Sequence, residues 1–423
     1  MAEIKPFRAL RYTAEAGNIA ELTCPPYDII SEEQRRAYLN ENPYNVVRLE
    51  LPKGDNPYAE AGENLQSWLK RGILHRDADP GFYIYEEEFE AGGQKKKIKG
   101  FICLVKLEEF SKGIILPHEE TLSKAKEDRF NLMKATGCNF SQVYSLYMDE
   151  ANVTGDRLDA LSSGRPRCEF SDGKVTHRMW LVNDREVIKA ICGDFKNRKL
   201  YIADGHHRYE TALNYRNWRR EQGTADGSED YLMMMLVNME HDGLVVFPTH
   251  RLVRGLEGFS TGHLLNGCRN EFDVTPEKNI AEIEPMLSRL YHQGKKAFAF
   301  YGGGSGWALL VLKDMGIMEK VLPEKSTAYR GLDVTILHSL ILEKHLGIDK
   351  KNMAEQVNLS YTRSFREAIE SVQNGDSQCA FILNPTRVAE IRDVASAGEK
   401  MPQKSTYFYP KLITGLVMNQ LSD

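Results

Sequence analysis

The sequence has no long apolar run. No stretch approaches the roughly 18 consecutive apolar residues that a membrane helix needs. The start of the chain, Met1–Phe7, also lacks the apolar core of a signal peptide. We therefore expect a cytoplasmic protein that has no membrane partner.

Cysteine is sparse, and its spacing does not suit a metal site. The seven cysteines among the 423 residues are scattered, and no two are spaced as Cys-x-x-Cys. Reduced structural thiols fit this pattern, whereas a zinc cage or a disulfide framework does not. The pattern His-Glu-x-x-His is also missing, because the residue four places after His118 is a leucine.

The chain has no excess of basic residues. Lysine and arginine number 55 against 60 aspartates and glutamates, which gives a formal net charge of −5. The clearest basic run, Gln94–Lys99, follows the acidic run Glu86–Glu90, and the pair Gly92-Gly93 between them predicts a charged hairpin. We therefore expect no nucleic-acid partner.

The glycine-rich stretch Gly302–Gly306 lacks the Gly-Lys-Ser/Thr ending of a Walker loop. Apolar runs flank it, Ala297–Tyr301 before and Trp307–Leu312 after. A strand thus follows the glycines where a Walker loop would need a helix. The pattern predicts a β-hairpin and no phosphate loop.

The sequence does contain a strand–turn–helix pattern around residue 204. Leu200–Ala203 form an apolar run and Tyr209–Leu213 open a helical pattern, with polar residues at the junction. A helix start directs backbone N–H groups and the positive end of the helix dipole at one place, which suits a phosphate. Glycine permits close approach, and imidazoles and a guanidinium add donors. The junction consists of Asp204, Gly205, His206, His207 and Arg208.

This junction has two other interpretations. The first is a structural turn in which Asp204 caps the helix. The second is a metal site at His206 and His207. Adjacent histidines cannot easily face one metal from a helix, where the usable spacing is i and i+4. We therefore rank phosphate binding above metal binding.

Two other segments contain residues suited to catalysis or binding. Pro117–Thr121 contains two adjacent carboxylates, and it is either a helix start or the position of a general base, Glu119. The polar-aromatic loop Met401–Pro410 contains Lys404 and Thr406. These two residues either hold a carboxylate or phosphate, or belong to a solvated loop.

Four further segments give less specific signals. Pro248–Arg251 follows an apolar strand, and it either lines the same cleft or forms a turn. Leu332–His345 predicts an amphipathic helix, on which His338 is a core or interface histidine. Asp149–Gly164 is polar and predicts a connector, whereas Ser123–Ala135 predicts a charged helix.

Together these segments resemble the free-serine kinases of the ParB/sulfiredoxin-like fold, in a longer bacterial and archaeal form known as a domain of unknown function. The family's Pro-His-Glu element is matched by Pro117–Glu119, and its strand ending in Asp-Gly-His-His-Arg by Asp204–Arg208. Its hairpin is matched by Ala297–Leu312 and its strand ending in Pro-Thr by Ala380–Thr386. Its closing loop with lysine and threonine is matched by Met401–Thr406.

The resemblance covers roughly residues 112–415 and implies an α/β (α+β) fold. A ParB/sulfiredoxin-like nucleotide-binding core would span residues 111–254, and a C-terminal α/β domain on the substrate side would span residues 255–423. Residues 1–110 would form an extra N-terminal region that has no counterpart in the compact kinases.

The resemblance also implies a small-molecule kinase. It would transfer a phosphoryl group from ATP or ADP to the hydroxyl of free L-serine or a related hydroxy compound. Glu119 would be the general base, and Asp204 would hold Mg²⁺ or orient the phosphoryl group. The phosphates would be bound by Gly205, His206, His207 and Arg208, and the substrate carboxylate by Lys404 and Thr406.

One departure from the family concerns the closing loop, which ends in histidine there and in Phe408 here, so the identity of serine is left open. Two alternatives remain: a ParB-like nucleotide-binding regulatory module without catalysis, and a metal-dependent hydrolase that uses His206 and His207. A sulfiredoxin-like reductase is rejected, because it needs a cysteine thiolate where His206 stands. The oligomeric state stays open, with a homodimer as one candidate.

Overall fold

The computed structural model describes residues 1–121, 123–304 and 306–421. The fold is mixed α/β, as the sequence predicts, whereas the ParB/sulfiredoxin-like assignment stays a prediction. The strands are β1 (Ile4–Lys5), β2 (Leu10–Tyr12), β3 (Leu74–Arg76), β4 (Phe82–Ala91), β5 (Gln94–Lys106), β6 (Ile115–Leu116), β7 (Cys138–Asn139), β8 (Val143–Tyr147), β9 (Cys168–Ser171), β10 (Val175–Val182), β11 (Leu200–Asp204), β12 (Tyr231–Asn238), β13 (Val245–Val246), β14 (His250–Val253), β15 (Phe272–Glu277), β16 (Ala297–Tyr301), β17 (Trp307–Leu312), β18 (Leu359–Thr362), β19 (Cys379–Ile382), β20 (Phe408–Tyr409) and β21 (Asn419–Gln420).

The helices account for most of the remaining regular structure. Short 3-10 turns lie at Ala14–Ala16, Tyr27–Ile29, Phe110–Lys112, Ser228–Asp230 and Ile280–Glu282, and a π-helical segment spans His338–Glu343. The α-helices are α1 (Ile19–Leu22), α2 (Glu32–Glu41), α3 (Val47–Glu50), α4 (Pro57–Lys70), α5 (Ser123–Thr136), α6 (Val153–Leu161), α7 (Arg185–Phe195), α8 (His206–Glu221), α9 (Thr261–Cys268), α10 (Ile283–His292), α11 (Gly316–Val321), α12 (Thr327–Arg330), α13 (Asp333–Leu337), α14 (Lys344–Leu346), α15 (Lys350–Glu355), α16 (Phe365–Gln373) and α17 (Val388–Ser396).

The chain divides into two compact units. Unit 1 comprises Met1–Pro117, Thr121–Val245 and Phe408–Asp423, and unit 2 comprises His118–Glu120 and Val246–Tyr407. Unit 1 is therefore built from three separate stretches of sequence. The three-domain division expected at residues 110 and 254 stays a prediction.

Unit 1 is organised around a mixed sheet of nine of the described strands, in the order β6-β11-β8-β12-β5-β4-β10-β9, with β1 paired to β5. β12 lies near the middle and is buried along nearly its whole length, as expected of an apolar strand covered on both faces. The charged hairpin predicted from the sequence is confirmed by β4 and β5. Gly92 and Gly93, with φ of 59° and 71°, form its two-residue turn.

Helix α6 corrects one sequence-based expectation in unit 1. The polar stretch Asp149–Gly164 does not form a simple connector, because its middle is helical from Val153 to Leu161. Thr154 and Leu158, one turn apart, are the buried residues of this helix. Most of its remaining residues are partly or fully exposed, which explains why the stretch has a loop-like composition.

Unit 2 contains a six-stranded antiparallel sheet in the order β15-β17-β16-β19-β14-β18. β16 and β17 confirm the predicted hairpin, and Tyr301 stacks on Trp307 across it at 4.5 Å between ring centroids. The predicted helix Leu332–His345 is also present, but His338–Glu343 within it is π-helical. Single π turns inside helices are rare and are often found at functional sites.

Two other findings bear on the class of protein. Among the residues that the structure describes, no helix has both the length and the apolar character needed to cross a bilayer. The seven cysteines are all unpaired thiols, and five of them are buried. Burial raises the pKa of Cys138 to about 12 and that of Cys268 to about 12, which fits structural and unreactive thiols.

A buried carboxyl group lies in the sheet of unit 1. Glu87 on β4 is fully buried, and its Oε1 accepts a hydrogen bond of 2.9 Å from the Tyr85 hydroxyl. That hydroxyl also lies 2.7 Å from Nδ1 of His177. Among the described residues, Oε2 of Glu87 has no partner. Burial raises the pKa of Glu87 to about 8, so the group is mostly protonated at neutral pH.

This carboxyl group makes stability depend on pH. Because its pKa is raised on folding, its contribution to stability is present at low pH and is lost as pH rises from the unfolded-state value through about 8. We expect the Glu87→Gln variant to gain stability relative to wild type over this window, by up to roughly 1 kcal/mol per pH unit. Urea unfolding across the window measures the difference. Glu90→Gln, an exposed change on the same strand, is the matched control. A pH-independent difference for Glu87→Gln would contradict the prediction.

Candidate functional site

The strand–turn–helix predicted around residue 204 is confirmed. β11 ends at Asp204, Gly205 has a left-handed φ of 94°, and α8 begins at His206. A Cβ at Gly205 would lie 2.9–3.0 Å from the guanidinium of Arg208. The backbone angle favours glycine here, and any other residue would also move the Arg208 guanidinium away from its place.

The first turn of α8 has the geometry of an anion site. The helix is 16 residues long, and the backbone N–H groups of its first turn have no carbonyl acceptor within the helix. The positive end of its dipole lies at the same place. His206 is buried and His207 is half-buried at this end. The described geometry suits a phosphate, and the assignment of these histidines to it stays a prediction.

Asp204 is held by two cationic side chains. Its Oδ1 accepts from the Lys411 ammonium, and its Oδ2 accepts from Nη2 of Arg208 at 2.9 Å. Nη1 of Arg208 donates to the carbonyl of Gln142 at 2.6 Å. Lys411 is a residue that the sequence reasoning missed, since it lies 207 residues from Asp204 in the chain and belongs to no motif.

The binding of Mg²⁺ by Asp204 stays a prediction. Both oxygens of Asp204 accept hydrogen bonds from cationic groups. Within the described ranges, no group of three or more His, Cys, Asp or Glu side chains could hold a metal ion. Mg²⁺ is usually bound by one or two carboxylates together with substrate phosphates.

The N-terminal region contributes to the surroundings of Arg208. A cavity of about 40 Å³ is lined by Arg208 and Thr211 from α8 and by Glu50 and Arg129. Nη1 of Arg129 donates to the Glu50 carbonyl at 2.6 Å, and its guanidinium lies 4.1 Å from the ring centroid of Tyr27. Glu50, a residue of the N-terminal region, thus lines the same cavity as Arg208, a proximity that no sequence pattern had indicated.

The predicted general base and the predicted carboxylate-binding loop meet in unit 2. The backbone N–H of Lys404 donates to Oε1 of Glu119 at 3.2 Å. Nε2 of His118 lies 3.0 Å from Oγ1 of Thr406, and the N–H of Met401 donates to the His118 carbonyl at 2.6 Å. Three site residues predicted from distant parts of the sequence are therefore neighbours.

Lys404 takes part through its backbone. Its φ of 57° lies in the left-handed region, which non-glycine residues seldom adopt, and this conformation accompanies the N–H contact with Glu119. The Lys404 side chain is exposed. The prediction that this side chain holds a carboxylate therefore remains untested, whereas the contact of its backbone with Glu119 is a new finding.

A cavity of about 170 Å³ adjoins the same loop. Its wall includes Glu120, the neighbour of Glu119, and Met401–Gln403, the residues just before Lys404. Tyr329 and His338 form part of its buried side. Empty cavities of similar size, about 150 Å³, bind small organic molecules. The space therefore suits a molecule of a few non-hydrogen atoms.

Phe408, which stands where the resembled family has histidine, is a core residue of unit 1. It is 1% exposed and packs edge-on against Tyr144 at 5.6 Å between ring centroids. Tyr144 pairs with Asp204 in the register of β8 and β11. Phe408 therefore contributes to packing behind the turn and offers no polar atom to a substrate.

In this mixed α/β protein, the candidate site residues are divided between the two units. Asp204–Arg208 belong to unit 1, whereas Glu119, Lys404 and Thr406 belong to unit 2. The chain belongs to the family described as "Protein of unknown function (DUF1015)", whose sequence model matches residues 4–335. A comparison with curated proteins gives no match.

Several solved structures are distantly similar. A conserved hypothetical protein from Pyrococcus furiosus has 14% identity and a TM-score of 0.38, over 76% of this chain and 95% of that chain. A free serine kinase in complex with AMP has 14% identity and a TM-score of 0.37, over 73% and 86%. SbnI with a C-terminal truncation, from Staphylococcus aureus, has 13% identity and a TM-score of 0.37, over 75% and 87%.

The pairing of Asp204 with Lys411 is expected to contribute to stability. The two side chains are only 19% and 11% exposed, so removing one partner leaves a poorly solvated charge. We expect Lys411→Met to lower the free energy of unfolding by roughly 1–3 kcal/mol. Chemical denaturation of Lys411→Met, Asp204→Asn and the double variant gives the coupling free energy between the two side chains. Lys112→Met, which breaks a more exposed pair with Glu108, serves as the control. Additive effects of the two single changes would show that the pair contributes nothing.

Proposed function

We propose that the protein is a small-molecule kinase with a ParB/sulfiredoxin-like nucleotide-binding core. It transfers a phosphoryl group from ATP or ADP to the hydroxyl of free L-serine or a related hydroxy compound. Glu119 is the general base, and the turn Asp204–Arg208 binds the phosphates of the nucleotide. The protein acts in the cytoplasm on small molecules, without nucleic acid or membrane.

The reaction balances without another reactant. The substrate oxygen forms a bond to the terminal phosphorus of the nucleotide, and the bond from that phosphorus to the bridging oxygen breaks. The hydroxyl proton goes to Glu119, and ADP or AMP leaves. Such a transfer asks the protein mainly for positioning and for stabilisation of spread negative charge. A positioned carboxylate base adds roughly 10²–10⁴-fold to the rate.

One observation carries the proposal: the loop with Lys404 and Thr406 lies against His118–Glu119. The family resemblance had implied a general base and a substrate-binding loop at these residues. Their proximity supports an arrangement in which a small hydroxylated molecule is held beside Glu119. The cavity of about 170 Å³ next to the loop supports a substrate of that size.

The turn in unit 1 supports the nucleotide side of the proposal. Gly205 leaves the start of α8 accessible to close approach, and the helix dipole favours negative charge there. Lys411 and Arg208 hold Asp204 in one orientation. In the proposed role, Asp204 and its two cations orient the phosphoryl group. His206 and His207 then add donors to the phosphates.

The Glu119→Gln variant tests the role of the base. We expect it to lose turnover by at least about 10²-fold while it still binds nucleotide, because glutamine keeps the shape but cannot accept the proton. Phosphorus NMR with Mg²⁺, L-serine and either ATP or ADP follows the appearance of a phosphomonoester. The control is Glu127→Gln, which changes an exposed carboxylate on α5. Full activity in Glu119→Gln would remove this residue from the role.

The same assay tests the reaction itself. A new signal of O-phosphoserine would establish the kinase and identify the donor. Consumption of nucleotide without that product would keep phosphoryl transfer and direct the search to other hydroxy compounds. Nucleotide that binds without being consumed would instead favour a regulatory binding module.

Arg208→Ala tests the phosphate-binding turn. We expect it to weaken nucleotide affinity by about tenfold or more, because the change removes a charged donor and releases Asp204 from its place. Isothermal calorimetry measures the affinity. Arg220→Ala, a change at the exposed far end of the same helix, is the control for loss of positive charge. Unchanged affinity in Arg208→Ala would count against the phosphate site at this turn.

A further inference from the structure

Arg251 is a fully buried arginine in unit 2, on strand β14. The sequence had suggested a turn or a cleft lining for Pro248–Arg251, but Arg251 lies inside the six-stranded sheet. Its Nη1 donates to the Thr249 carbonyl, and its Nε donates to Nε2 of His338 at 3.4 Å. Each of these partners is uncharged.

Among the described residues, no carboxylate forms a salt bridge with the guanidinium of Arg251. Burial lowers the pKa of Arg251 to about 10, so the group is still charged at neutral pH. Burial also lowers the pKa of His250 to about 4 and that of His338 well below its usual range, so both imidazoles are neutral. A buried and uncompensated charge is costly, and its retention calls for a specific role.

The remaining contact of the guanidinium points to that role. Nη2 of Arg251 donates to the carbonyl of Lys404 at 3.1 Å, and the N–H of Lys404 donates to Glu119 at 3.2 Å. One residue thus links Arg251 to Glu119. The ring centroid of Tyr361 lies 5.4 Å from the guanidinium of Arg251. Burial raises the pKa of Tyr361, the charge of Arg251 lowers it, and the charge of Glu119 raises it further. Arg251 and Glu119 are therefore within electrostatic reach of the same ring.

We propose that Arg251 is the positioning residue for the base: it holds the loop Met401–Thr406 in the conformation that directs the Lys404 N–H at Glu119, and it supplies positive charge beneath that contact. The left-handed backbone of Lys404 is one that a lysine seldom adopts without support. The Arg251 bond to the Lys404 carbonyl provides this support. A nearby positive charge also favours the ionised form of Glu119, which is the form that accepts a proton.

The role of Arg251 in catalysis rests on the proposed function, whereas its stabilisation of the loop Met401–Thr406, called here the hold on the loop, does not. Two measurements separate these parts. Amide exchange at Lys404 reports the loop without any reaction, and the pH–rate profile reports Glu119 during turnover. The titratable and charged groups that contact Glu119, Arg251 or the loop are His118, Lys404, His250, His338 and Tyr361. Those that line the adjoining cavity are Glu120, Glu324, Lys325, Tyr329, Glu343 and Lys350.

The first measurement is hydrogen–deuterium exchange resolved to the Lys404 amide by fragmentation mass spectrometry, on the full chain. We expect Arg251→Met to exchange about tenfold faster or more, the scale of one lost charge-assisted hydrogen bond. Arg251→Lys keeps the charge but not the guanidinium fork, so its exchange is expected between those of Arg251→Met and wild type. Arg254→Met, an arginine just beyond the end of β14, is the control and should match wild type.

The outcomes decide the hold on the loop. Exchange equal to wild type in Arg251→Met would overturn it. If Arg251→Met fails to fold, as judged by its unfolding transition, Arg251→Lys decides alone. Faster exchange at Lys404 then supports the hold, and exchange equal to wild type overturns it.

The second measurement is the pH dependence of kcat/KM. In Arg251→Met we expect the acid limb to move to higher pH, while Arg251→Lys stays near wild type because the charge remains. A merely structural role would lower the rate at every pH without moving the limb. An unmoved limb in an active Arg251→Met variant would overturn the electrostatic part of the proposal. Absence of turnover in wild type would overturn the catalytic role together with the proposed function, and the exchange result would still decide the hold on the loop.

Discussion

The left-handed turn at Gly205 is the constraint on which the candidate nucleotide site depends. β11 ends just before this glycine and α8 begins just after it, so the first turn of the helix lies directly at the end of the strand. The same turn brings Arg208 back over Gly205, where it meets Asp204 and the Gln142 carbonyl. A side chain at position 205 would disfavour the backbone angle and would displace the Arg208 guanidinium from Asp204.

Local patterns in the sequence predicted much of the fold. The apolar run before Asp204 and the helical pattern after it gave β11 and α8, and the glycines of Gly302–Gly306 gave the hairpin of β16 and β17. These elements are decided by residues close together in the chain. The contacts of Lys411 with Asp204 and of Arg251 with Lys404 are decided by the tertiary fold, and no local pattern indicates them. The π segment within the predicted helix Leu332–His345 is equally hidden, because its residues have the same apolar pattern as an α-helix.

Polar groups with little or no access to water are stabilised in three different ways in this fold. Asp204 is paired with cations from two directions, Arg251 keeps its charge among neutral acceptors, and Glu87 favours its protonated form. Pairing fixes an orientation, because each oxygen of Asp204 accepts from a cationic side chain. A charge among neutral groups exerts its field on whatever lies near, here the ring of Tyr361. Protonation removes the charge and leaves a group that responds to pH. Two of these three solutions lie at residues assigned to the proposed reaction.

The division of unit 1 into three stretches has a consequence for synthesis on the ribosome. Its last stretch, Phe408–Asp423, supplies Lys411 to Asp204, Phe408 to Tyr144 and a strand to β7. The whole of Val246–Tyr407 emerges before that stretch does. Unit 2 can therefore form during translation, whereas these three contacts of unit 1 must wait, although all strands of its nine-stranded sheet are already synthesised. In a nascent chain paused before residue 408, Asp204 would not yet be paired with Lys411 and Tyr144 would not yet be packed against Phe408.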